Sequence, residues 1–400
     1  MGSVTLASLL IAALMLQTAV RPRARDLGIA PGALTPGPLN AITDVADVRV
    51  GQVTLIEGDS VRTGVTAILP HGGNLFQNKV AGAVFVGNAF GKLAGSTQVR
   101  ELGTIETPIV LTNTLSIGTA VDAVVRWTTM QAGNENVRSV NALVGETNDG
   151  TLNDIRGQHV TRDHVVAAIN GARTGAVDEG AVGAGTGTVA FGWKGGIGTS
   201  SRTVRQGAGS NETWTVGVLV QTNYGGKLVI NGVPVWKALT PQRGQPGAGV
   251  AANADLSRRS QDLSRRSAEG AKAEGAEADG SCMIVVATDA PLDAKNLQRL
   301  AARAIFALAR TGSTYSNGSG DFAIAFSTHP SQRVTSATGP QTRTVLPTDS
   351  VSNLFEAVLD ATEEAVDNSL LKATDITAGG RTIRAIPIDA LQALLKQYGR

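Results

Sequence analysis

Residues 279–288 of the chain read DGSCMIVVAT, and the interpretation of the whole sequence depends on this stretch. The run Cys282–Ala287 is continuously apolar, which predicts a strand that is buried on both faces. Upstream, residues 240–280 consist mainly of Pro, Gly, Ala, Ser and charged residues, with almost no large apolar side chain. A segment of that composition cannot bury enough surface to order itself, so we interpret it as a flexible linker. The sequence therefore predicts an abrupt return to order between Gly280 and Ser281.

Cleavage of the Gly280–Ser281 bond would give Ser281 a free α-amine. An unperturbed α-amine has a pKa of about 7.7–8.0, close to the value that a general base needs at neutral pH. An N-terminal serine can therefore carry its own base, which is a recognised route to an activated hydroxyl. Glycine before the bond suits a strained peptide, because glycine tolerates unusual backbone angles. From these residues alone, a serine that simply begins a strand after a loop remains the alternative.

A second polar segment precedes another apolar run. Ser319 and Asp321 lie two residues apart, just before the run Phe322–Phe326. In an extended segment their side chains share a face, so that a hydroxyl and a carboxylate can be aimed at one site. A solvated turn that begins a strand is the alternative interpretation.

Two further apolar runs end in polar side chains. Asn223 follows the run Trp214–Gln221, while Glu146 and Asn148 follow residues 143–144. An asparagine side chain can donate a hydrogen bond to an oxyanion that develops during acyl transfer. Each of these residues can equally well cap its own turn.

Apolar periodicity predicts the remaining elements. Strands are predicted at Thr63–Leu69, Ala81–Val86, Ile109–Thr112, Trp214–Gln221 and Asp321–Thr328. Helices are predicted at Ser116–Ala132, Asp293–Arg310, Ser350–Ala373 and Ile388–Gln397. This mixture predicts an α+β or layered α/β chain, with a break just before residue 281.

The composition restricts the chemistry. Of the 400 residues, 42% are hydrophobic, the formal net charge is +2, and Cys282 is the single cysteine. The balanced charge argues against nucleic-acid binding, and one cysteine allows neither an intrachain disulfide nor a cysteine-based metal site. The four histidines show no metal-binding spacing, and residues 183–187 lack the pattern of a phosphate-binding loop. We therefore expect no cofactor.

Residues 1–20 have the pattern of a signal peptide. Their apolar run, Leu6–Val20, is shorter than the roughly 20 residues that span a bilayer, and it ends in small residues suited to cleavage. Three arginines follow within residues 21–25, but no Lys or Arg precedes the run. Export to the periplasm or the medium is the favoured prediction, and a loose N-terminal helix of a cytoplasmic protein is the alternative.

Taken together, these segments resemble the self-processing serine aminopeptidases of the L-aminopeptidase/D-esterase (D-amidase) and β-peptidyl aminopeptidase type. The resemblance covers nearly the whole chain and is most specific at residues 279–281, 285–292 and 316–321. It implies a four-layer αββα sandwich like that of N-terminal-nucleophile hydrolases. It also implies a precursor that cuts itself into an α chain, residues 21–280, and a β chain, residues 281–400, which together form one domain.

The resemblance assigns roles to the polar residues. Ser281 would be the nucleophile, with Ser319 and Asp321 supporting it, and Asn223 would donate to the oxyanion. The family often has Glu at the position of Asp321, and Asp is one methylene shorter. Asn148 stands where some relatives carry a tyrosine that donates to the oxyanion.

The implied activity is that of an aminopeptidase acting on short peptides, amides or esters. Glu146 would bind the free N-terminal amine of the substrate. The implied protein assembles as a homo-oligomer of αβ units and has neither a nucleic-acid partner nor a membrane span. One alternative is a related amidase acting on a pantetheine-like amide, and another is an inactive binding relative. Glu146 favours peptides, and the intact Ser281, Ser319 and Asn223 argue against an inactive protein.

Overall fold

The computed structural model describes residues 21–207, 209–241, 280–335 and 339–400. The predicted signal peptide, residues 1–20, and nearly all of the predicted linker, residues 240–280, lie outside the described residues. Within the described ranges, no helix is both long and apolar enough to cross a lipid bilayer.

Most strands of the described residues belong to two sheets. In chain order the strands are β1 (Arg49–Glu57), β2 (Val61–Leu69), β3 (Asn78–Ala89), β4 (Leu93–Ala94), β5 (Thr104–Ile105), β6 (Ile109–Asn113), β7 (Leu143–Thr147), β8 (Val189–Ala190), β9 (Trp193–Lys194), β10 (Ile197–Arg205), β11 (Thr213–Asn223), β12 (Ser281–Thr288), β13 (Gly320–Ser327), β14 (Val334–Thr335), β15 (Ile376–Ala378) and β16 (Arg381–Ile383). One sheet has the spatial order β1-β2-β6-β7-β4. The other has the order β10-β11-β12-β13-β3-β14, with β5 paired to β3. β8 pairs with β9, and β15 with β16, in two short hairpins.

The longer helices lie on the outer faces of the sheets. In chain order the α-helices of the described residues are α1 (Ser96–Leu102), α2 (Ile117–Thr129), α3 (Arg162–Asn170), α4 (Ala294–Arg310), α5 (Ser352–Leu371) and α6 (Ile388–Gln397). α4 and α5 pack against the sheet that contains β12, whereas α2 and α3 pack against the other sheet.

Three apolar clusters show that these elements form four layers. One cluster joins the inner faces of the two sheets, for example Ile68 with Val285. A second joins the β12 sheet to α4 and α5, for example Val286 with Leu300. A third joins the other sheet to α2 and α3. Each sheet is therefore covered on both faces, and the αββα sandwich implied by the resemblance is confirmed.

The continuous apolar run after Ser281 follows from the position of β12 between two of these clusters. Met283 and Val285 belong to the cluster between the sheets. Ile284 and Val286 belong to the cluster under the helices. A strand that is buried on both faces has no solvent side, so its sequence does not alternate between apolar and polar residues.

β12 has one antiparallel and one parallel neighbour. Its first residue, Ser281, pairs with Asn223 at the end of β11 and with Gly320 at the start of β13. A parallel pair needs a crossover connection, and α4 supplies it between β12 and β13. This topology brings Ser281, Asn223 and the segment 319–321 to the same edge of the sheet.

Candidate active site

The Ser281 hydroxyl lies beside the carbonyl group that precedes it in the chain. Ser281 is buried, with 5% of its surface exposed. Its Oγ accepts a hydrogen bond from the backbone N–H of Gly320 at 3.3 Å. The same N–H donates to the carbonyl oxygen of Gly280 at 3.1 Å. One backbone donor therefore holds both the hydroxyl oxygen and the carbonyl oxygen of the Gly280–Ser281 bond.

Gly280 lies so close to β11 that no side chain fits there. A Cβ atom added to Gly280 would lie 2.4 Å from the Cα of Tyr224 and 2.5 Å from the carbonyl oxygen of Asn223. Both neighbours are backbone atoms, which cannot turn aside as a flexible side chain can. Close packing against these backbone atoms therefore requires glycine before Ser281.

The Asn223 side chain is held in one orientation by a loop. Its Oδ1 accepts a hydrogen bond from the backbone N–H of Val189 at 3.0 Å. Because the amide oxygen is engaged in this way, its NH₂ group is the part that remains to donate to another acceptor. Asn223 is also the pairing partner of Ser281, so this donor belongs to the neighbourhood of the Ser281 hydroxyl.

Ser319 and Asp321 form a pair, as their spacing predicts. The Ser319 hydroxyl donates to Oδ1 of Asp321 at 2.9 Å, and Asp321 is fully buried. Oδ2 of Asp321 has no hydrogen-bond partner within the described ranges. Burial raises the pKa of Asp321 to about 6, and the Ser319 bond and the backbone N–H of Cys282 partly offset this effect. A buried carboxylate oxygen is thus left available beside the start of β12.

Cys282 follows Ser281 directly but is not an activated nucleophile. Burial raises the pKa of its thiol well above the usual range, and the nearby Asp321 carboxylate raises it further. The thiolate is the reactive form of cysteine, so a thiol held protonated is inert. Of these two neighbouring side chains, the Ser281 hydroxyl is therefore the remaining candidate nucleophile.

Glu146 lies at the end of β7 and is almost completely buried. Its Oε1 accepts from the backbone N–H of Lys92 at 3.0 Å and lies 3.4 Å from the Lys92 ammonium. The Thr114 hydroxyl donates to its Oε2. The Lys92 side chain is 56% exposed, so the cation that faces this buried carboxylate lies at the protein surface.

Gly91 connects Glu146 to the neighbourhood of Ser281. A Cβ on Gly91 would lie 3.4 Å from Oε1 of Glu146 and 3.3 Å from the Cα of Gly320. Gly91 therefore lies between the carboxylate and the backbone segment that donates to Ser281. The structure brings Glu146 to the same region as the other predicted residues.

Asn148 occupies a different environment. Its side chain is exposed, and its Oδ1 accepts a hydrogen bond from the backbone N–H of Gly150 at 2.9 Å. This is the turn-capping arrangement that the sequence offered as an alternative. A contribution of Asn148 to an oxyanion stays a prediction.

Two donors of the site are backbone groups, which sequence reasoning missed. The N–H groups of Gly320 and Val189 act without a side chain, so no residue type marks them. Lys92 was also missed, because an exposed lysine beside a glycine has no distinctive sequence pattern. Among the described residues, no group of three or more His, Cys, Asp or Glu side chains is arranged to hold a metal ion.

A buried serine that follows glycine at the start of a central strand, inside an αββα sandwich, is typical of the N-terminal-nucleophile hydrolases. The chain belongs to peptidase family S58, whose family model matches residues 40–383. It is therefore a peptidase, and the prediction of a self-processing serine aminopeptidase is confirmed.

Individual relatives agree with this assignment. The chain is 40% identical to "Beta-peptidyl aminopeptidase BapA" of Sphingosinicella microcystinivorans, over 95% of this chain and 93% of the relative. The solved L-aminopeptidase D-Ala-esterase/amidase of Ochrobactrum anthropi, described as a variant of the Ntn hydrolase fold, is 36% identical, with a TM-score of 0.81. That match covers 95% of this chain and 99% of the other. The PH0078 protein of Pyrococcus horikoshii OT3 is 43% identical, with a TM-score of 0.81 over 95% of this chain and 100% of its own.

Proposed function

We propose that the chain cuts itself between Gly280 and Ser281, and that Ser281 then removes N-terminal residues from short peptides, amides or esters. The observation that carries this proposal is the Gly320 N–H, which donates to both Ser281 Oγ and Gly280 O. The test is the intact mass of the purified protein. Two chains that meet at residues 280 and 281 would support the proposal, whereas a single uncut chain with full activity would refute it.

In the first reaction Ser281 acts on its own peptide bond. Its hydroxyl oxygen attacks the carbonyl carbon of Gly280, the C–N bond breaks, and the hydroxyl proton passes to the nitrogen. The product is an ester that water hydrolyses, leaving a Gly280 carboxylate and a free α-amine on Ser281. The Gly320 N–H already contacts the oxygen that becomes negative, as a donor for an oxyanion must.

In the second reaction the same hydroxyl attacks a substrate carbonyl, the bond to the leaving amine or alcohol breaks, and that group takes up the hydroxyl proton. Water then hydrolyses the ester formed on Ser281. The new α-amine of Ser281 serves as general base, and the Asn223 NH₂ group donates to the oxyanion. The unpartnered oxygen of Asp321 is available to accept a hydrogen bond from the α-amine once cleavage has freed it. Ser319 would hold the other oxygen of that carboxylate.

The α chain, residues 21–280, and the β chain, residues 281–400, would remain one domain after cleavage. The support is that β12 of the β chain lies between β11, from the α chain, and β13. We further propose a homo-oligomer of αβ units, which light scattering of the purified protein would test.

We also propose export to the periplasm with loss of residues 1–20. N-terminal sequencing of the cell-envelope fraction tests this proposal. Intact Met1 or Gly2 on cytoplasmic protein would argue against export.

Glu146 would bind the substrate ammonium, and Glu146→Gln is expected to weaken turnover of free-amine substrates about tenfold to 10²-fold. The reason is that a hydrogen bond to a charged group contributes roughly 1.5–3 kcal/mol, and 1.4 kcal/mol is a factor of ten. The measurement is kcat/KM on an amino-acid p-nitroanilide, with the loss expected mainly in KM. Self-cleavage should still occur.

Glu101→Gln is the matched control, because Glu101 is an exposed carboxylate paired with Arg100. It should leave kcat/KM unchanged. Equal turnover of free and N-acetylated substrates by the wild type would contradict a role of Glu146 in binding the amine. The alternative substrate, a pantetheine-like amide, is not favoured, because the relatives are aminopeptidases and a buried anion beside the site suits such an amide less well.

The pH profile is expected to fall on the acid side, because two groups must lose a proton before the enzyme is active. The α-amine of Ser281 acts as a base only when it is neutral, and an unperturbed α-amine has a pKa of about 7.7–8.0. Asp321 must be ionised to accept from the α-amine, and burial raises its pKa to about 6. The measurement is kcat/KM against pH, in which the α-amine sets the upper step of the acid limb and Asp321 a lower step. An acid limb in Asp321→Asn with the same shape as that of the wild type would contradict the role of Asp321.

Acid unfolding can be separated from this loss of activity. The folded-state pKa of Asp321 is above the unfolded value of about 3.9, so the folded form binds this proton more tightly. The stability contribution from this group is full below about pH 4 and is lost as the pH rises through 6. Circular dichroism at pH 5 should therefore show a folded protein where activity has already fallen.

A further inference from the structure

Lys194 is a fully buried lysine that the proposed reactions do not use. Its ammonium donates to three backbone carbonyl oxygens, those of Gly185 at 2.9 Å, Thr188 at 2.9 Å and Gly195 at 2.8 Å. An ammonium has three N–H donors, so all of them are used. The group thus acts as a clamp on the segment of residues 185–195.

Burying this charge is unfavourable, and the neighbourhood compensates only in part. Burial lowers the pKa of Lys194 to about 7, while the nearby charge of Asp149 raises it. Asp149 is itself buried, and burial raises its pKa to about 6. An apolar side chain of similar size often stabilises a protein more than a buried ion does. A buried lysine at this place is therefore better explained by what it holds than by overall stability.

The clamped segment carries the N–H that orients Asn223. Lys194 in β9 is the cross-strand partner of Val189 in β8. The carbonyl groups of Gly185 and Thr188 precede Val189 in the chain, and that of Gly195 follows it. Gly195 also donates from its N–H to the carbonyl oxygen of Thr188 at 3.3 Å. The ammonium therefore fixes the chain on both sides of Val189.

The same segment is fastened to the end of β11. The Gln221 amide donates to the carbonyl oxygen of Ala184 at 2.8 Å, and the N–H of Phe191 donates to the carbonyl oxygen of Tyr224 at 2.7 Å. A Cβ on Gly185 would lie 2.5 Å from the backbone nitrogen of Ile197. The glycine-rich residues 183–187 are thus packed against the sheet, and they lead into the hairpin that faces Asn223.

We propose that Lys194 is a positioning residue for the oxyanion donor: it holds the Val189 N–H against Oδ1 of Asn223 and so keeps the Asn223 NH₂ group available to the substrate. This inference rests on the proposed role of Asn223. Without the clamp, the amide could rotate and present its oxygen, which repels an oxyanion. By holding the amide in this orientation, Lys194 raises the rate of the chemical step and leaves substrate binding unchanged.

The test is a double-mutant cycle with Lys194→Met and Asn223→Ala in the full chain. Lys194→Met alone is expected to lower kcat on an amino-acid p-nitroanilide about tenfold to 10²-fold with little change in KM, since the lost interaction belongs to the transition state. In the Asn223→Ala background, the same substitution should change kcat less than twofold, because the group it positions is gone. An equal loss in both backgrounds, or no loss at all, would overturn the proposal.

Two further variants separate positioning from folding. Lys194→Gln keeps an amide donor and should lose less kcat than Lys194→Met. Lys372→Met is the matched control, because its ammonium also binds a backbone carbonyl, that of Arg21 at 2.8 Å, and it should leave kcat unchanged. If both Lys194 variants fail to fold or stay uncut, Lys194 is structural and the proposal is wrong. If Asn223→Ala itself keeps full activity, the proposed function of Asn223 fails as well.

Discussion

Ser281→Ala is expected to remain one full-length chain and to lose at least about 10⁴-fold in kcat, because it lacks the atom to which we assign both proposed reactions. Removing the nucleophile of a serine protease costs about 10⁶-fold, and other groups keep only a small residual rate. The neighbouring Cys282 thiol is not expected to take over, since burial holds it protonated. Intact mass measures the loss of self-cleavage, and the release of p-nitroaniline measures the loss of substrate hydrolysis.

Ser281→Cys is the sharper variant, because a thiol is the better nucleophile but differs in size and pKa. It should process slowly and hydrolyse amides poorly. A second experiment co-expresses residues 21–280 with a β chain that begins at Ser281 after removal of the initiator Met. If cleavage serves only to free the nucleophile, that pair is active without any self-cutting. A Ser281→Ala protein that still splits after Gly280 and still hydrolyses amides would show that the nucleophile lies elsewhere.

Asn223→Ala is expected to process normally and then to lose about 10²–10³-fold in kcat, the usual effect of removing one oxyanion donor. Processing should survive because the Gly280 oxygen is held by Gly320 and not by Asn223. Asn223→Asp should lose more, since it keeps the oxygen that accepts from Val189 but replaces the donor with an acceptor. The measurement is kcat of the mature enzyme on an amino-acid p-nitroanilide.

Asn170→Ala is the control for this substitution, because the Asn170 side chain accepts from the indole of Trp127 on the outer helices. It should leave kcat unchanged. A kcat for Asn223→Ala within threefold of the wild type would remove Asn223 from the oxyanion site. In that case Asn148 would need its own alanine variant before any donor could be named.

Strands and helices that carry the site were predictable because burial leaves a strong pattern in them. The continuous run Cys282–Ala287 predicted β12, and the structure gives Ser281–Thr288. The helix predicted at Asp293–Arg310 is α4, with Asp293 as its N-cap. The spacing of Ser319 and Asp321 predicted that their side chains meet, and they do. In each case the decisive information is local in the sequence.

β10 was missed because most of its buried side chains are polar. Ser200, Ser201 and Arg202 are all buried, and Arg202 forms an ion pair with Glu364 of α5 at 2.7 Å. A polar strand that packs on a polar helix face shows no apolar run, so it cannot be recognised without its distant partner. The backbone donors at Gly320 and Val189 were missed for a related reason, because tertiary structure alone gives them a role.

The central position of β12 has a consequence for the lifetime of the enzyme. Once the Gly280–Ser281 bond is cut, the two polypeptides share one sheet, in which β12 pairs along its whole length with β11 of the other polypeptide. They can separate only by unfolding, and reassembly is then a bimolecular encounter that slows on dilution. The precursor, by contrast, folds as a single molecule. Heating the mature enzyme should therefore inactivate it irreversibly, and its durability is set by how slowly it unfolds rather than by an equilibrium.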